Sequence, residues 1–361
     1  MNSKLKLLSK IPLYKLSHAT GWPKLLPINL TLSVSPTCNS RCKTCNIWKK
    51  KENDFTPEEW DKTMASIGAW PFWITISGGE PFLKREQLVE LVKICYHRNK
   101  PAIINIPTNS LLYAFTPKFV EQMCQSIPNT QLIINLSVDG VGGHHDYIRG
   151  IPGNFEKARK TLADLKELKN KYSNLTIGIH SVISQFNYQK VDELFDWAFS
   201  QEPDQYITEI AEERVELDTI GEPITPSAEN YSQAINKLIV QIKQRNFKGV
   251  SKITEAFRIE YYKNVKKYLQ TKKQIIPCYA GLASGQIYAN GDVWQCCIDA
   301  DVMGNLRENN YDFKKIWFSP KAAEIRKKVK DGGCGCPLAN ASYTNMLMDF
   351  KTLIKIIINY L

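Results

Sequence analysis

Ser35-Pro36-Thr37-Cys38-Asn39-Ser40-Arg41-Cys42-Lys43-Thr44-Cys45-Asn46 follows directly on the apolar run at 28–34. The C-x3-C-x2-C spacing puts three thiols on one short loop, close enough to take three corners of a cubane 4Fe–4S cluster. The fourth iron is then left without a protein ligand. An open iron can bind a small molecule, which makes such a cluster a reagent rather than a staple. Structural zinc with a distant fourth ligand is the competing reading, although zinc sites more often come as paired C-x2-C units.

Outward from this loop, strand-like apolar runs alternate with helical patterns, which predicts a parallel sheet with crossover helices. Strands are expected at 28–34, 72–77, 102–107, 131–138, 175–183 and 205–210. Helices are expected at 56–68, 85–98, 117–126, 155–169 and 191–199. Thr56-Pro57-Glu58-Glu59 reads as a capping box with proline at the first helical position. Parallel barrels carry their reactive groups on the loops after the strands. Those loops hold Ser77-Gly78-Gly79-Glu80-Pro81, then Pro107-Thr108-Asn109-Ser110, then Leu136-Ser137-Val138-Asp139-Gly140 with His145-Asp146-Tyr147-Ile148-Arg149-Gly150 behind it.

Taken together, these segments resemble the radical S-adenosylmethionine (radical SAM) enzymes. The resemblance implies an α/β fold, a partial (β/α)6 parallel barrel, with the catalytic cluster on Cys38, Cys42 and Cys45. In that family the open iron chelates S-adenosylmethionine, and one electron splits it to a 5′-deoxyadenosyl radical that abstracts hydrogen from the substrate. The cofactor-binding residues it implies are Gly78, Gly79, Glu80 and Pro81 toward the amino group, with Thr108 and Asn109 after the third strand. Ser137, Asp139 and Arg149 follow the fourth, the arginine fork suiting the cofactor carboxylate. Thr44 stands where relatives often have an aromatic residue, with Trp48 as the substitute, and Ser110 replaces the glycine of the usual Thr-Asn-Gly. His144, His145 and His180 are read as structural. Tyr206, Glu209, Glu213 and Arg214, at and beyond the sixth strand, are the candidate substrate contacts.

Five further cysteines lie beyond the barrel: Cys278, Cys296, Cys297, Cys334 and Cys336. Asn290-Gly291 marks a hairpin between 286–288 and 293–296. This resembles the opening of SPASM and twitch extensions, whose full form carries seven cysteines. The shorter set implies a small α+β auxiliary-cluster domain with one 4Fe–4S cluster on Cys278, Cys296, Cys334 and Cys336. Cys297, next to Cys296, points to the other side if the strand continues. Four thiolates saturate a cubane, so its expected role is electron transfer. Ser319-Pro320 opens a helix to about residue 329. Cys95 and Cys124 read as buried small hydrophobes.

The expected divisions are a basic amphipathic extension at 1–27, the barrel at 28–215, a helical connector at 216–275, the auxiliary domain at 276–340 and a C-terminal helix at 341–361. With 361 residues, 43% hydrophobic and 23% charged, the composition is that of a globular protein. Ten clustered cysteines fit metal ligation in a reducing cytoplasm better than disulfides, and no signal peptide is expected. The net charge of +11 is spread along helices without a nucleic-acid module, so no nucleic-acid partner is expected. Residues 1–30 carry Lys4, Lys6, Lys10, Lys15 and Lys24 among leucines, and the stretch 353–361 is apolar but far shorter than the ~20 residues of a membrane span. Both ends are read either as lying on an anionic membrane surface or as packing on the barrel or on a second subunit.

The expected activity is a two-electron C–H oxidation of an unidentified substrate, the cationic termini hinting at an anionic or lipid-linked one, with flavodoxin or ferredoxin as the reducing partner. Peptide maturation comes second, and epimerisation with Cys297 as hydrogen donor third. A non-catalytic iron–sulfur electron carrier and a zinc-binding protein are the readings from other classes.

Overall fold

The alternation in the sequence is realised as six parallel strands lying side by side in chain order. They are β1 (Asn29–Ser33), β2 (Trp73–Ser77), β3 (Ile103–Thr108), β4 (Gln131–Ser137), β5 (Leu175–Ile183) and β6 (Gln205–Ile210). The computed structural model describes residues 3–245 and 249–360, with side chains over 7–245 and 252–359. The side chains of Lys4, Leu5 and Lys6, and all of Leu361, therefore lie outside the described residues.

α1 (Ser3–Thr20) precedes the sheet, and α2 (Pro57–Ile67), α3 (Arg85–Asn99) and α4 (Thr116–Ser126) make the first three crossovers. α5 (Gly143–Arg149) and α6 (Asn154–Lys169) join β4 to β5, and α7 (Val191–Ser200) joins β5 to β6. The capping box at Thr56 forms as read, with Thr56 accepting from the Glu59 amide and Glu59 accepting from that of Thr56. Sequence reading missed α5, a short helix that carries Arg149 on its last turn.

Strand alternation sorts the barrel into two faces. Ile74, Ile76, Ile104, Ile106, Leu132, Ile134, Ile177 and Ile179 are buried in the main core. The opposite parity gives Thr31, Thr75, Ser77, Asn105, Asn135, Gln205 and Glu209, which line cavities inside the barrel. Their side chains form a polar chain: Gln205 Nε2 donates to Asn135 Oδ1 at 3.0 Å, and Asn135 Nδ2 to Asn105 Oδ1 at 2.6 Å. A Cβ at Gly178 would fall 1.8 Å from Asn135 Oδ1, so any side chain there would displace this amide. Full eight-stranded barrels fill their interior with branched apolar residues; this lumen mixes polar groups with Trp73, Ile133 and Ile207 around an open cavity.

α8 (Ala228–Gln244) and α9 (Gly249–Thr271) form the connector, followed by β7 (Ser284–Ile287), β8 (Asp292–Trp294) and β9 (Val302–Asn305). The hairpin strands are shifted from the expected 286–288 and 293–296, and β9 was not foreseen. They do not stand apart: β7 pairs in parallel with β1, and β8 and β9 continue antiparallel, giving one nine-stranded sheet. β1 is thus flanked on both edges, and all five of its residues are buried.

α10 (Phe313–Trp317) and α11 (Pro320–Lys330) follow, then α12 (Ala339–Met348) and α13 (Phe350–Tyr360). Residues 341–361 are thus two helices rather than one. The break is at Asp349, extended at φ −99°, whose carboxylate accepts from the Thr352 amide and hydroxyl and caps the second helix. α12 closes the lumen: Asn340 accepts from Asn29 Nδ2 at 2.6 Å and donates to Thr31 Oγ1 at 2.9 Å. Bidentate Arg307–Glu59 bonds, 2.6 and 3.0 Å, tie the C-terminal unit to α2. No described helix is long and apolar enough to cross a membrane.

Candidate functional site

The cysteine loop leaves the C-terminal end of β1 and is held by its neighbours' backbone. Arg41 N donates to Arg149 O at 3.0 Å and Lys43 N to Ile148 O at 2.8 Å. Gly150, at φ +69°, makes this possible, because a Cβ there would lie 2.3 Å from Arg41 O. The turn after β2 closes from the other side, with Gly79 N donating to Ser35 O at 2.7 Å and Glu80 N to Thr37 O at 3.0 Å. A Cβ on Gly78 or Gly79 would fall 2.4 Å from Ser35 O or 2.2 Å from Thr37 O. The glycine pair is therefore a close-approach device, not an ordinary turn.

Cys38, Cys42 and Cys45 line one cavity of about 210 Å³ with Gly78, Gly79 and Glu80. Thr108, Asn109, Ser137, Asp139 and Arg149 line it too, so the structure brings together every expected cofactor residue except Pro81. Pro81 is buried at the start of a 3-10 turn, where it shapes the loop instead. Burial, with the Cys42 charge as a lesser cause, pushes the Cys38 thiol up to about 11 and that of Cys45 to about 12. Thiols held this close and this dry stay thiolate only with a cation among them, and soft thiolate donors select iron–sulfur clusters or zinc. Among the described residues no group of His, Cys, Asp or Glu is arranged to hold a single metal ion.

Arg149 Nη1 donates to Cys42 Sγ at 3.4 Å, while its Nε lies 2.8 Å from Asp139 Oδ2, an ion pair without hydrogen-bond alignment. Asp139 Oδ1 accepts from Val182 N at 2.8 Å, so this carboxylate orders the loop around the arginine. Glu80 Oε1 accepts from Phe82 N and Thr108 Oγ1, at 3.1 and 3.0 Å, and Oε2 from Asn109 N at 2.7 Å. One acceptor site on Oε2 remains for a ligand ammonium. Burial raises this carboxyl to about 7 against those bonds. Ser110 takes φ +61°, the left-handed conformation that glycine would supply, so the turn survives the replacement. Thr44 faces the cavity, whereas Trp48 lies under the Arg41 guanidinium, 4.4 Å away, and does not line it. Trp48 is thus not the substitute aromatic contact.

Of the four expected substrate contacts, Glu209 and Arg214 reach the lumen. Tyr206 does not: it faces the helices, packed on Phe195 and Phe199, with its hydroxyl on Ser181 Oγ. Glu213 is exposed and accepts from Gly221 N at 2.6 Å. His180, read as structural, instead lines the lumen 3.3 Å from Glu209 Oε1. Glu212 and Glu216 were missed. Arg214 Nη2 bonds Glu209 Oε2 at 3.1 Å and Glu212 Oε1 at 3.0 Å. Ser33 Oγ and Gln286 Nε2 both donate to Glu216 Oε1, at 2.6 Å. Burial would raise Glu209, but His180 and Arg214 hold it at about 2; burial dominates at Glu212 and lifts it to about 7. Glu212 Oε2 and Arg214 Nε are buried with no partner.

The second cysteine set gathers at the opposite end of the sheet. Cys278 precedes β7, which is parallel to β1, and Cys296 follows β8, which runs back antiparallel. Burial raises the thiol of Cys296 to about 12 and that of Cys334 to about 11, and each also feels the charge of Cys278. Cys336, raised by burial, feels Glu212, Cys296 and Cys278. The strand does not run on: β8 ends at Trp294 and Cys297 stands in a turn, where it lines the lumen near Arg214 and Glu216. Cys95 and Cys124 are buried in the helix-side core.

A polar half-barrel with a thiolate trio and a glycine cradle at its mouth, and a second thiol cluster across the sheet, defines an iron–sulfur enzyme. Residues 32–198 match the family model of the radical SAM superfamily, and residues 278–337 that of the SPASM iron–sulfur cluster-binding domain. The chain therefore carries a radical SAM domain followed by a C-terminal SPASM domain, and these domains imply a 4Fe–4S cluster, S-adenosylmethionine and auxiliary iron–sulfur as cofactors.

Among curated proteins it is 25% identical over 185 residues to the sporulation killing factor maturation protein SkfB of Bacillus subtilis (strain 168), covering 50% of this chain and 42% of SkfB. It is 27% identical over 187 residues to the Fe-coproporphyrin III synthase of Methanosarcina barkeri, covering 50% and 43%. The chain spans less than half the length of these relatives. Its fold is that of Streptococcus suis SuiB bound to S-adenosylmethionine (TM-score 0.60, 16% identity, 83% of this chain and 68% of that one). It is also that of anSMEcpe with bound AdoMet (TM-score 0.61, 15% identity, 92% and 98%).

Proposed function

We propose that this enzyme carries out a two-electron oxidation of a C–H position on a polar substrate held in the barrel lumen. Cys38, Cys42 and Cys45 hold the cluster that binds S-adenosylmethionine, and Cys278, Cys296, Cys334 and Cys336 hold one auxiliary cluster. When bound, these groups supply hydrogen-atom abstraction and one-electron acceptance, with a small reducing protein such as flavodoxin or ferredoxin as electron source.

The observation that carries the reading is the buried Arg214–Glu209–Glu212 cluster, which lies in the lumen between the two cysteine sets. Arg149 and the remaining acceptor on Glu80 orient the cofactor's carboxylate and ammonium. Arg214 Nε and Glu212 Oε2, having no protein partner, are left to the substrate. Removing a hydrogen atom and an electron from an X–H-bearing carbon also releases a proton, and Glu212, poised near 7, is the acceptor beside it. α12 contributes Asn340 and Tyr343 to the lumen wall, which offers amides and hydroxyls to the substrate beside Trp73, Ile133 and Ile207.

Peptide modification is the second reading of the substrate, favoured by the likeness to SkfB, named for maturation of a sporulation killing factor, and by the solved complex of SuiB with its precursor peptide. The test is anaerobic turnover with site-deuterated candidate peptides and metabolites. Oxidation requires deuterium in 5′-deoxyadenosine and a product about three mass units lighter than the singly deuterated substrate, about two lighter than the unlabelled one. Turnover of the unlabelled substrate in D2O that gives a product about one mass unit heavier would replace oxidation with epimerisation.

A further inference from the structure

Two helices of this chain turn large apolar side chains toward solvent. On α13, Phe350, Ile354, Ile357 and Ile358 recur at helical spacing on the face away from the buried Thr352 and Ile356. Ile357 and Ile358 are 61% and 74% exposed. On α1, Ile11 and Tyr14 are buried against the barrel, while Leu8, Leu13 and Leu16 point outward, Leu8 at 54% exposed. Trp22, in the loop just beyond, is 70% exposed. The helices adjoin: Lys15 Nζ lies 3.5 Å from the centroid of the Phe350 ring. An outward apolar stripe on one helix could be chance, but two adjoining stripes mark an interaction surface.

The charge around this surface identifies its occupant. The chain has no Asp or Glu before Glu52, and α13 carries Lys351 and Lys355 with no acidic residue. α1 ends at a cavity of about 660 Å³ whose walls include Lys24, Arg326, Lys327 and Lys330, with Asp331 as the acidic member. Two copies meeting through this face would oppose lysine to lysine, which argues against self-association. Apolar side chains flanked by lysines match the boundary between the headgroups and acyl chains of an anionic bilayer. α13, with 11 residues, is far too short to span one.

We propose that α1 and α13 form a membrane-docking face that seats the enzyme on an anionic lipid surface, with the lysines and the basic cavity over the headgroups. Cys278 also lines the basic cavity, so the face borders the auxiliary site, but the proposal does not rest on the proposed reaction.

The test is flotation of the full-length, cluster-loaded protein with phosphatidylcholine vesicles, with and without phosphatidylglycerol, at low and at high salt. Binding is expected on the anionic vesicles at low salt and at least tenfold weaker on the neutral ones. Ile354→Glu with Ile357→Glu should abolish it, and Lys351→Gln with Lys355→Gln should weaken it by about fivefold per lysine. Iron content and the melting curve are expected to stay unchanged, because these side chains are exposed. Failure of the wild type to bind anionic vesicles overturns the proposal. So does binding that survives the isoleucine substitutions, or a dimer in sedimentation that those substitutions dissociate.

Discussion

Gly79→Ala tests the cofactor cradle most directly. The added methyl carbon would lie 2.2 Å from Thr37 O and 2.6 Å from both Pro36 O and Thr37 C. That is about 1.2 Å short of the 3.4 Å at which ordinary contact begins, and every opposing atom is backbone. No side chain can rotate away, so the turn must lift off the cysteine loop. Lifting breaks the Gly79 N–Ser35 O and Glu80 N–Thr37 O bonds, 2.7 and 3.0 Å long. At about 0.5–1.5 kcal/mol each, the loss is about 1–3 kcal/mol. Placed on cofactor binding, this weakens S-adenosylmethionine by about fivefold to about a hundredfold. The assay is equilibrium dialysis on anaerobically reconstituted protein, with iron content as the check on loading. Gly143→Ala is the control, since a Cβ there meets nothing within 4 Å. Affinity for Gly79→Ala within twofold of wild type, at equal iron, would refute the argument that this turn must touch the loop.

Three further outcomes are expected. Cys336→Ser should lower iron content by about half, as loss of one of two cubanes requires, whereas Cys297→Ser should retain it all; the measurement is iron per chain after reconstitution. Ser110→Gly should stabilise the protein by about 1 kcal/mol in denaturant unfolding, because it relieves a non-glycine residue at φ +61° and removes a buried hydroxyl without a partner. Bonds to Arg307 hold the Glu59 carboxyl down at about 2, below its unfolded value, so its contribution is complete above about pH 4.5 and is lost as pH falls toward 2. Glu59→Gln should therefore cost about 2 kcal/mol at neutral pH and converge with wild type in acid, as read by urea unfolding across pH.

The sequence made legible what is local. Capping at Thr56, the cysteine loop, the glycine cradle and the strand periods all depend on residues a few positions apart. Parity within a strand was also readable and was not fully used. Tyr206 and Glu209 stand three apart on β6, so they face opposite sides, and accepting Glu209 for the lumen already excluded Tyr206. The same rule puts His180 on the face shared by Gly178 and Val182, where a neighbouring acid can reach it. Nothing local announced that β7 would pair with β1, more than two hundred residues away, or that α12 would close the barrel through Asn340.

That distant pairing decides how the two halves of the site relate. Because β7 is parallel to β1, the Cys38 loop leaves one end of the sheet while Cys278 and Cys296 lie at the other. β1 has five residues, so the ends are separated by about 16 Å of strand. The lumen fills that interval, with Arg214, Glu209, Glu212 and His180 along it. A substrate held there lies between the group that takes its hydrogen atom and the thiols that would hold an electron acceptor. Had the auxiliary hairpin folded as a separate unit on a flexible linker, that distance would vary with every motion of the linker. Fusing it into the barrel sheet, and clamping it to α2 through Arg307 and Glu59, fixes it.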